Sequence, residues 1–251
     1  VNFQSDLLSA EWVVIPPGLF TPDSLPPRGR FFQFDPFPSL PRQTDEPAAT
    51  FDKTETALRL HRIVAETELS VYAYRGSWRS YALRPDNAAV PTRAIEFFPK
   101  LAVFGASARR SGLGGVWGAE LGYYDSLDDR TGSNLAIENS QVRFILTYQR
   151  QLGQDVTGSL EYYGEQMQDY AAYRRNVPPG FPTRSELRDL VGVRLTKLLR
   201  YQTLKLSLFS FYSPRRTTVQ KAFSVAWAAE PVPVARQPVY VEQPPVYVEQ
   251  P

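Results

Sequence analysis

The sequence predicts an all-β chain, an antiparallel up-and-down transmembrane β-barrel, and three observations carry that prediction. Between residues 54 and 214, apolar residues recur at every second position with polar ones between them, the pattern of a strand with two unlike faces. The connections between these segments alternate short and long, as in outer-membrane barrels, whose periplasmic turns are tight and whose outer loops are long. Hairpins of a water-soluble sandwich have no reason to alternate. Finally, the mean hydropathy is −0.33 and the chain lacks the run of about 18 apolar residues that a membrane-spanning helix needs. A barrel shows lipid only alternate residues and needs no such run.

Along the chain, residues 3 to 15, ending Glu11-Trp12-Val13-Val14-Ile15, form a candidate extra strand. The segment that follows, to residue 53, is crowded with proline, including Pro16, Pro17, Pro26, Pro27, Pro36 and Pro38. Proline cannot donate to a ladder, so residues 1–53 read as that strand and then a long extended loop or plug. The strands proper start with Thr56, Leu58 and Leu60 set against Glu55, Arg59 and His61. The second sets Leu69, Val71 and Ala73 against Glu68, Ser70 and Tyr72. The third, residues 101 to 108, has no decidable face. In the fourth, Trp117, Ala119, Leu121 and Tyr123 oppose Gly118, Glu120 and Gly122. The fifth is the cleanest, with Val142, Phe144, Leu146 and Tyr148 against Arg143, Thr147 and Gln149, only Ile145 breaking the pattern. The sixth opposes Val156, Gly158, Leu160 and Tyr162 to Thr157, Ser159, Glu161 and Tyr163; the seventh opposes Val191, Val193 and Leu195 to Arg188, Arg194 and Thr196. The eighth opposes Leu204, Leu206 and Leu208 to Thr203, Lys205 and Ser207.

Short connections fall near 62–66, 109–114, 152–154 and 198–202, and long ones near 76–98, 126–139 and 168–186. The alternation stops after Pro214, and residues 215–251 read as a low-complexity, polyproline-like tail with the repeat Pro238-Val-Tyr-Val-Glu-Gln243, Pro245-Val-Tyr-Val-Glu-Gln250. The expected organisation is therefore 1–53, 54–214 and 215–251. Tyr72, Tyr74, Tyr123, Tyr124, Tyr148, Tyr162, Tyr163, Phe211 and Tyr212 sit where strands meet the interface, as aromatic girdles do.

Chemistry-bearing motifs are few. With no cysteine, disulfides, Fe–S clusters and thiol catalysis are excluded. The single histidine, His61, has no Ser or Asp at a motif spacing, so no enzymatic activity is expected. Gly112-Leu113-Gly114-Gly115 lacks the lysine of a phosphate loop and reads as a turn. Asp125, Asp128 and Asp129 offer hard oxygen ligands but not EF-hand spacing, and read as a solvated loop; neither metal nor cofactor is expected. The net charge is +2, and the arginine pairs 109–110, 174–175 and 215–216 are isolated, so nucleic acid is not an expected partner.

What remains is the predicted lumen face: Glu55, Arg59, His61, Glu68, Glu120, Arg143, Glu161, Arg188, Arg194 and Lys205. Such a set plugs a narrow barrel with ion pairs or lines a water-filled channel in a wider one. In the long loop, Tyr170, Tyr173, Arg174 and Arg175 mix aromatics with bases, the chemistry that contacts lipopolysaccharide phosphates or a carbohydrate.

The stretches YAYRG (72–76), FFPKLAVFGASARR (97–110), WGAELGYYDSLDDRTG (117–132), NSQVRFILTYQRQL (139–152) and LTKLLRYQTLKLSLFSFYSP (195–214) resemble a poorly characterised, porin-like family of outer-membrane proteins of Gram-negative bacteria. The resemblance covers residues 1–214 and implies location and fold rather than activity. Such families usually continue with more strands and end on an aromatic residue, whereas this chain ends on Pro251. It starts at Val1 without a charged-then-apolar leader, which reads as a signal peptide absent or removed. The expectations are an eight-stranded barrel with plug-like ends or part of a larger barrel; a ninth strand from 3–15 makes the count odd and leaves a partner strand missing. In function they are a passive outer-membrane pore for ions or small solutes, a non-conducting structural or interaction barrel of the envelope, or a soluble β-sandwich binding module. Outer-membrane lipid, lipopolysaccharide and other envelope proteins are the expected partners.

Overall fold

A computed structural model describes residues 2–5, 8–16, 18–23, 35–48, 50–181, 183–214 and 218–227. Strand makes up more than half of the described residues, against roughly 20–25% in an ordinary globular domain. The fold is all-β and mostly antiparallel. In chain order the elements are β1 (Asn2–Gln4), β2 (Ser9–Ile15), β3 (Arg42–Asp45), β4 (Glu55–Val64), β5 (Thr67–Ser77), β6 (Ala82–Pro85), β7 (Ala94–Phe97), β8 (Lys100–Gly112) and β9 (Gly115–Ser126). They continue with β10 (Gln141–Gly153), β11 (Val156–Met167), the short helix α1 (Tyr170–Asn176), β12 (Leu187–Leu199), β13 (Leu204–Ser213) and β14 (Thr218–Trp227).

Eleven strands form one meander in the order β1-β2-β4-β5-β8-β9-β10-β11-β12-β13-β14, every neighbour antiparallel. All eight strands expected between 54 and 214 are present, and each expected short and long connection lies between the strands that it was expected to join. Residues 3–15 contribute two pieces, β1 and β2, with β2 laid against β4. The ladder also continues past Pro214, because β14 pairs with β13 from Ser213↔Thr218 to Leu204↔Trp227. That corrects the expectation that residues 215–251 are only a tail; the proline-rich repeat at 238–250 lies outside the described residues.

The sheet is open. Its edges are β1 and β14, which do not pair with each other, so the expected closure into a barrel is not present. A physical reason is length: β1 offers three residues to a β14 of ten.

Two short turns show how the hairpins are made. Ala65-Glu66 and Leu113-Gly114 have positive φ at both residues (46° and 64°, 51° and 73°), the two-residue form whose twist matches the flanking strands. Gly114 meets that need without strain, whereas Leu113, Ala65 and Glu66 adopt it against their preference.

The long loops build a second, smaller unit. β6 and β7 pair antiparallel, and β3 from the proline-rich segment joins β7 in parallel. Around it lie Trp78, Ala82, Leu83, Ala94, Phe98 and Leu101, all buried, and Ile137, Met167 and Tyr173 are buried in or beside the other two long loops. The proline-rich segment is tied here as well: the Phe20 ring meets Phe98 edge-on at 4.7 Å, and the Asp23 N–H donates to the Arg79 carbonyl. The apolar core therefore sits at the long-loop end of the meander, not against either broad face. Among the described residues no helix is long and apolar enough to cross a membrane, a fact that does not bear on crossing by strands.

Gly115 opens β9 beside the Gln149 backbone of β10. A Cβ built on it overlaps the Gln149 backbone carbonyl, which cannot swing away as a side chain would, whereas one at Gly153 meets nothing within 4 Å. Gly115→Ala is expected to lower the unfolding free energy by about 1–3 kcal/mol, and Gly153→Ala to change it by less than about 0.5 kcal/mol, both read from denaturant unfolding followed by circular dichroism.

Candidate functional site

Directly paired residues point to the same side of a sheet, so the register assigns every strand residue to one of two faces. One chain of pairs runs Trp12↔Leu58↔Ala73↔Phe104↔Tyr123↔Val142, and another runs Leu121↔Phe144 and Ala119↔Leu146↔Tyr162↔Val191↔Tyr212. The middle band of this face is apolar, and it is uncovered: Leu121 is 56% exposed, Leu146 52% and Leu160 51%. The third expected strand, which had no decidable face, places Ala102, Phe104, Ala106 and Ala108 here.

The opposite face is polar and is the better packed of the two. All ten sequence candidates lie on it: Glu55, Arg59 and His61 of β4, Glu68 of β5, Glu120 of β9, Arg143 of β10, Glu161 of β11, Arg188 and Arg194 of β12, and Lys205 of β13. Ser70 and Ser207, buried on the same face, leave room for the longer side chains beside them. The polarity of the sheet is thus the reverse of a water-soluble protein's, whose apolar face packs inward.

The charged groups fall into three sets. Near the short turns of β4 and β5, Arg59 pairs with Glu68 at 2.6 Å and with Glu11 at 3.8 Å, and donates to the Ser70 hydroxyl. At the other end of β4, Glu55, 4% exposed, pairs with Arg79 and accepts the Ser77 N–H.

The third and largest set spans β10, β11 and β12 at the long-loop rim. Glu165, 6% exposed, takes both oxygens to Arg188 at 2.6 and 2.7 Å, accepts the Tyr163 hydroxyl at 3.1 Å, and lies 3.7 Å from Arg143. Arg143 donates twice to the Gln141 side-chain oxygen, at 2.9 and 2.8 Å. It also lies 4.1 Å from the Tyr124 ring centroid and 5.6 Å from Trp78, within cation–π reach. Gln141 in turn donates to Glu138, which pairs with Arg184 at 2.7 Å. Burial works against the Arg184 charge, but the Glu138 and Glu165 carboxylates more than offset it and hold the guanidinium above its ordinary value.

Glu138, Gln141, Glu165, Arg184 and Trp78 were not singled out from the sequence, and Tyr124 was read only as an interfacial aromatic. One signal was available: Arg143↔Glu165 and Glu165↔Arg188 are direct cross-strand partners, so extending the sixth strand from Tyr163 to Met167 would have put the three charges in one row.

Glu120 and Glu161 are different. They lie on adjacent diagonals of β9, β10 and β11, near enough for their like charges to repel, and neither forms an ion pair with a described residue. His61 has its Nδ1 buried without a hydrogen-bond partner. Arg194 stacks on Phe209 at 4.9 Å, and Lys205 lies opposite Leu198.

The loop candidates separate. Tyr170 and Tyr173 stack on each other at 5.8 Å, and their hydroxyls are engaged by the Arg184 backbone, one donating to its carbonyl and the other accepting its N–H. They staple the loop; Arg174 and Arg175 remain exposed. Asp125 at the end of β9 and the aspartates of the 126–139 loop are also used internally. Asp125 pairs with Arg130, Asp128 accepts the Lys100 N–H, and Asp129 accepts N–H groups of Ser133 and Asn134. No three acidic or histidine side chains among the described residues converge to hold a metal. In the β6–β7 loop, Asp86 accepts the Thr92 hydroxyl and the N–H groups of Thr92, Arg93 and Asn87, which together hold its carboxyl well below the usual carboxylate range.

Of the nine expected girdle aromatics, Tyr123, Tyr148, Tyr162 and Tyr212 lie on the apolar face and Tyr72, Tyr74, Tyr124, Tyr163 and Phe211 on the polar one. Period two makes this unavoidable for neighbours such as Tyr123 and Tyr124. The hollow at the rim lined by Glu165, Met167, Arg184, Arg188 and Ser213 is about 20 Å³, room for one water-sized guest. The candidate site is accordingly the polar face itself. No family model, curated protein or solved structure matches the chain.

Removing the Glu165 charge leaves Arg143 and Arg188 facing each other without their shared partner. Glu165→Gln is expected to cost about 2–3 kcal/mol, less than the roughly 3–5 kcal/mol for breaking a fully buried pair because Arg188 is half-exposed. Asp45→Asn, in an exposed pair with Arg84 at 3.1 Å, is expected to cost under about 0.5 kcal/mol. Denaturant midpoints of the two variants check the contrast.

Proposed function

We propose that this chain is an outer-membrane β-barrel protein of the Gram-negative envelope, of the porin-like kind its strands resemble, and that it acts as a passive pore for ions or small solutes. The observation that carries the proposal is the reversed polarity of the sheet: a continuous apolar face that nothing covers, backed by a face of ion pairs. Water is a poor solvent for the first face and lipid a good one. The apolar stretch of β9, from Trp117 to Tyr123, with its flanking residues spans about 20 Å along a barrel axis for strands tilted near 40°, close to the apolar band of known barrels. Trp117 and Tyr148, 4.3 Å apart at the short-turn end, and Tyr123 and Tyr212 towards the loop end, stand where interfacial aromatics belong.

Lipid also bears on closure, because the unpaired N–H and C=O groups of β2 and β14 cannot face hydrocarbon. Without the three-residue β1, the meander holds ten strands, an even number that lets β2 and β14 meet antiparallel. Ten strands at about 4.8 Å spacing and 40° tilt close at roughly 20 Å across, against about 16 Å for eight. The extra width leaves a water path beside the polar side chains, and Glu120 and Glu161 give that path two uncompensated carboxylates. A second reading, a non-conducting envelope barrel, is favoured by the ion-pair set from Arg184 to Arg188 at the rim.

The test is heat-dependent gel mobility of protein folded into detergent or vesicles, followed by planar-bilayer conductance. A heat-dependent shift with single-channel steps supports the pore; a shift without steps supports the second reading; a water-soluble chain with no shift overturns both. Leu146→Arg, in mid-band, is expected to lose about 2–4 kcal/mol of folded stability in lipid, read from denaturant midpoints in vesicles. Glu120→Gln with Glu161→Gln is expected to move the reversal potential in a salt gradient toward weaker cation preference, and an unmoved potential excludes these carboxylates from the path.

A further inference from the structure

On the apolar face, each strand that runs toward a short turn carries a base just before its last residues. Arg62 precedes Val64 in β4, Arg110 precedes Gly112 in β8, Arg150 precedes the register shift that ends β10, and Lys197 precedes Leu199 in β12. The register puts all four on that face: Arg62 is opposite Leu69, Arg110 opposite Trp117, Arg150 opposite Gly158 and Lys197 opposite Leu206. They stand on alternate strands, so successive bases from β8 to β12 are about 10 Å apart. All four are exposed, and none has a hydrogen-bond or ion-pair partner among the described residues. No Asp or Glu of a described strand shares this edge of the face; Glu66 and Asp155 lie in the turns themselves. The same face at the long-loop end is mixed, with Arg75, Asp125 and Asp189.

We infer that this row is a headgroup site, at which the short-turn rim of the sheet takes the phosphates of anionic glycerophospholipids. The inference rests on the membrane reading above and adds to it which lipid, at which rim, through which residues. Long basic side chains leave their stems on the apolar belt and raise their charges to the headgroup layer, as the neighbours Leu60, Ala108, Tyr148 and Leu195 allow by continuing the belt beneath them. Bases at this spacing meet headgroup phosphates individually rather than clustering on one, and each gains about fivefold in partition to an anionic surface. The pairing of Trp117 with Arg110 places a fluorophore beside the row.

The experiment uses the full chain folded into vesicles and compares quenching of tryptophan emission by brominated phosphatidylglycerol and brominated phosphatidylcholine. Phosphatidylglycerol is expected to be favoured by about threefold or more at low salt, with the preference falling toward parity in about 0.5 M salt and in the variant R62Q/R110Q/R150Q/K197Q. Equal quenching by the two lipids at low salt overturns the headgroup site while leaving the membrane reading intact. Quenching by neither lipid overturns the membrane reading and this inference with it. If the variant does not fold into vesicles, the salt titration of the unsubstituted chain decides.

Discussion

Everything in this molecule depends on the register of one antiparallel meander. Because the side-chain period of a strand is two, a slip of one residue in a single ladder would carry that strand's whole apolar set to the other face. In the ladders from β2 to β13 the register shifts only between Gln151 and Gly153, at the turn end of β10–β11, and Trp12, Leu58, Leu121, Leu146, Leu160 and Leu208 therefore share a face while Arg59, Glu120, Arg143, Glu161 and Arg188 share the other. The two-residue turns hold that register locally, at the cost of positive φ in residues such as Ala65, Glu66 and Leu113.

The distribution of burial follows from the same constraint. A sheet that leaves its apolar face uncovered does not use that face for an internal core, so the apolar burial that exists lies at the loops: Trp78, Leu83, Phe98, Ile137 and Tyr173 pack at the long-loop end. The broad faces are held by ladder hydrogen bonds and, on the polar side, by charge. Arg143 illustrates how: Gln141 and Glu165 satisfy its donors, and Tyr124 and Trp78 supply the ring contacts. Removing any one of these partners leaves the others oriented, which is why the charge that matters most is Glu165, shared by two arginines.

Length asymmetry between the two ends gives them different work. The short-turn end carries exposed bases, aliphatic residues such as Val64 and Leu152, and aromatics on the apolar face, with the Arg59–Glu68 pair on the polar one. The long-loop end carries a folded layer in which the β3-β7-β6 sheet, α1 and the aspartate-capped loop 126–139 each satisfy their own polar groups. Tyr170 and Tyr173 belong to that self-satisfaction, whereas Arg174 and Arg175 of the same loop stay exposed.

What the sequence by itself determined was the local alternation: eight strands, their short and long connections, and the membership of one polar face by all ten charged or histidine candidates. These are legible because period two is a property of consecutive residues. Three things were not. β14 was hidden because its alternating segment, 218–227, is flanked by proline-rich sequence and has no partner until it lies beside β13. The face of β8 was undecidable because Ala102, Ala106 and Ala108 are small and Gly105 and Ser107 hardly more polar; only the neighbours β5 and β9 assign it. The rim network of Glu138, Gln141, Arg143, Glu165, Arg184 and Arg188 joins residues up to about fifty positions apart, and side chains that distant are brought together by ladders and loop folding, not by spacing along the chain. Whether the edges meet is likewise a tertiary matter, since hydrogen-bonding groups at β1 and β14 are alike in sequence terms and only the relative lengths and positions of those strands decide whether they pair.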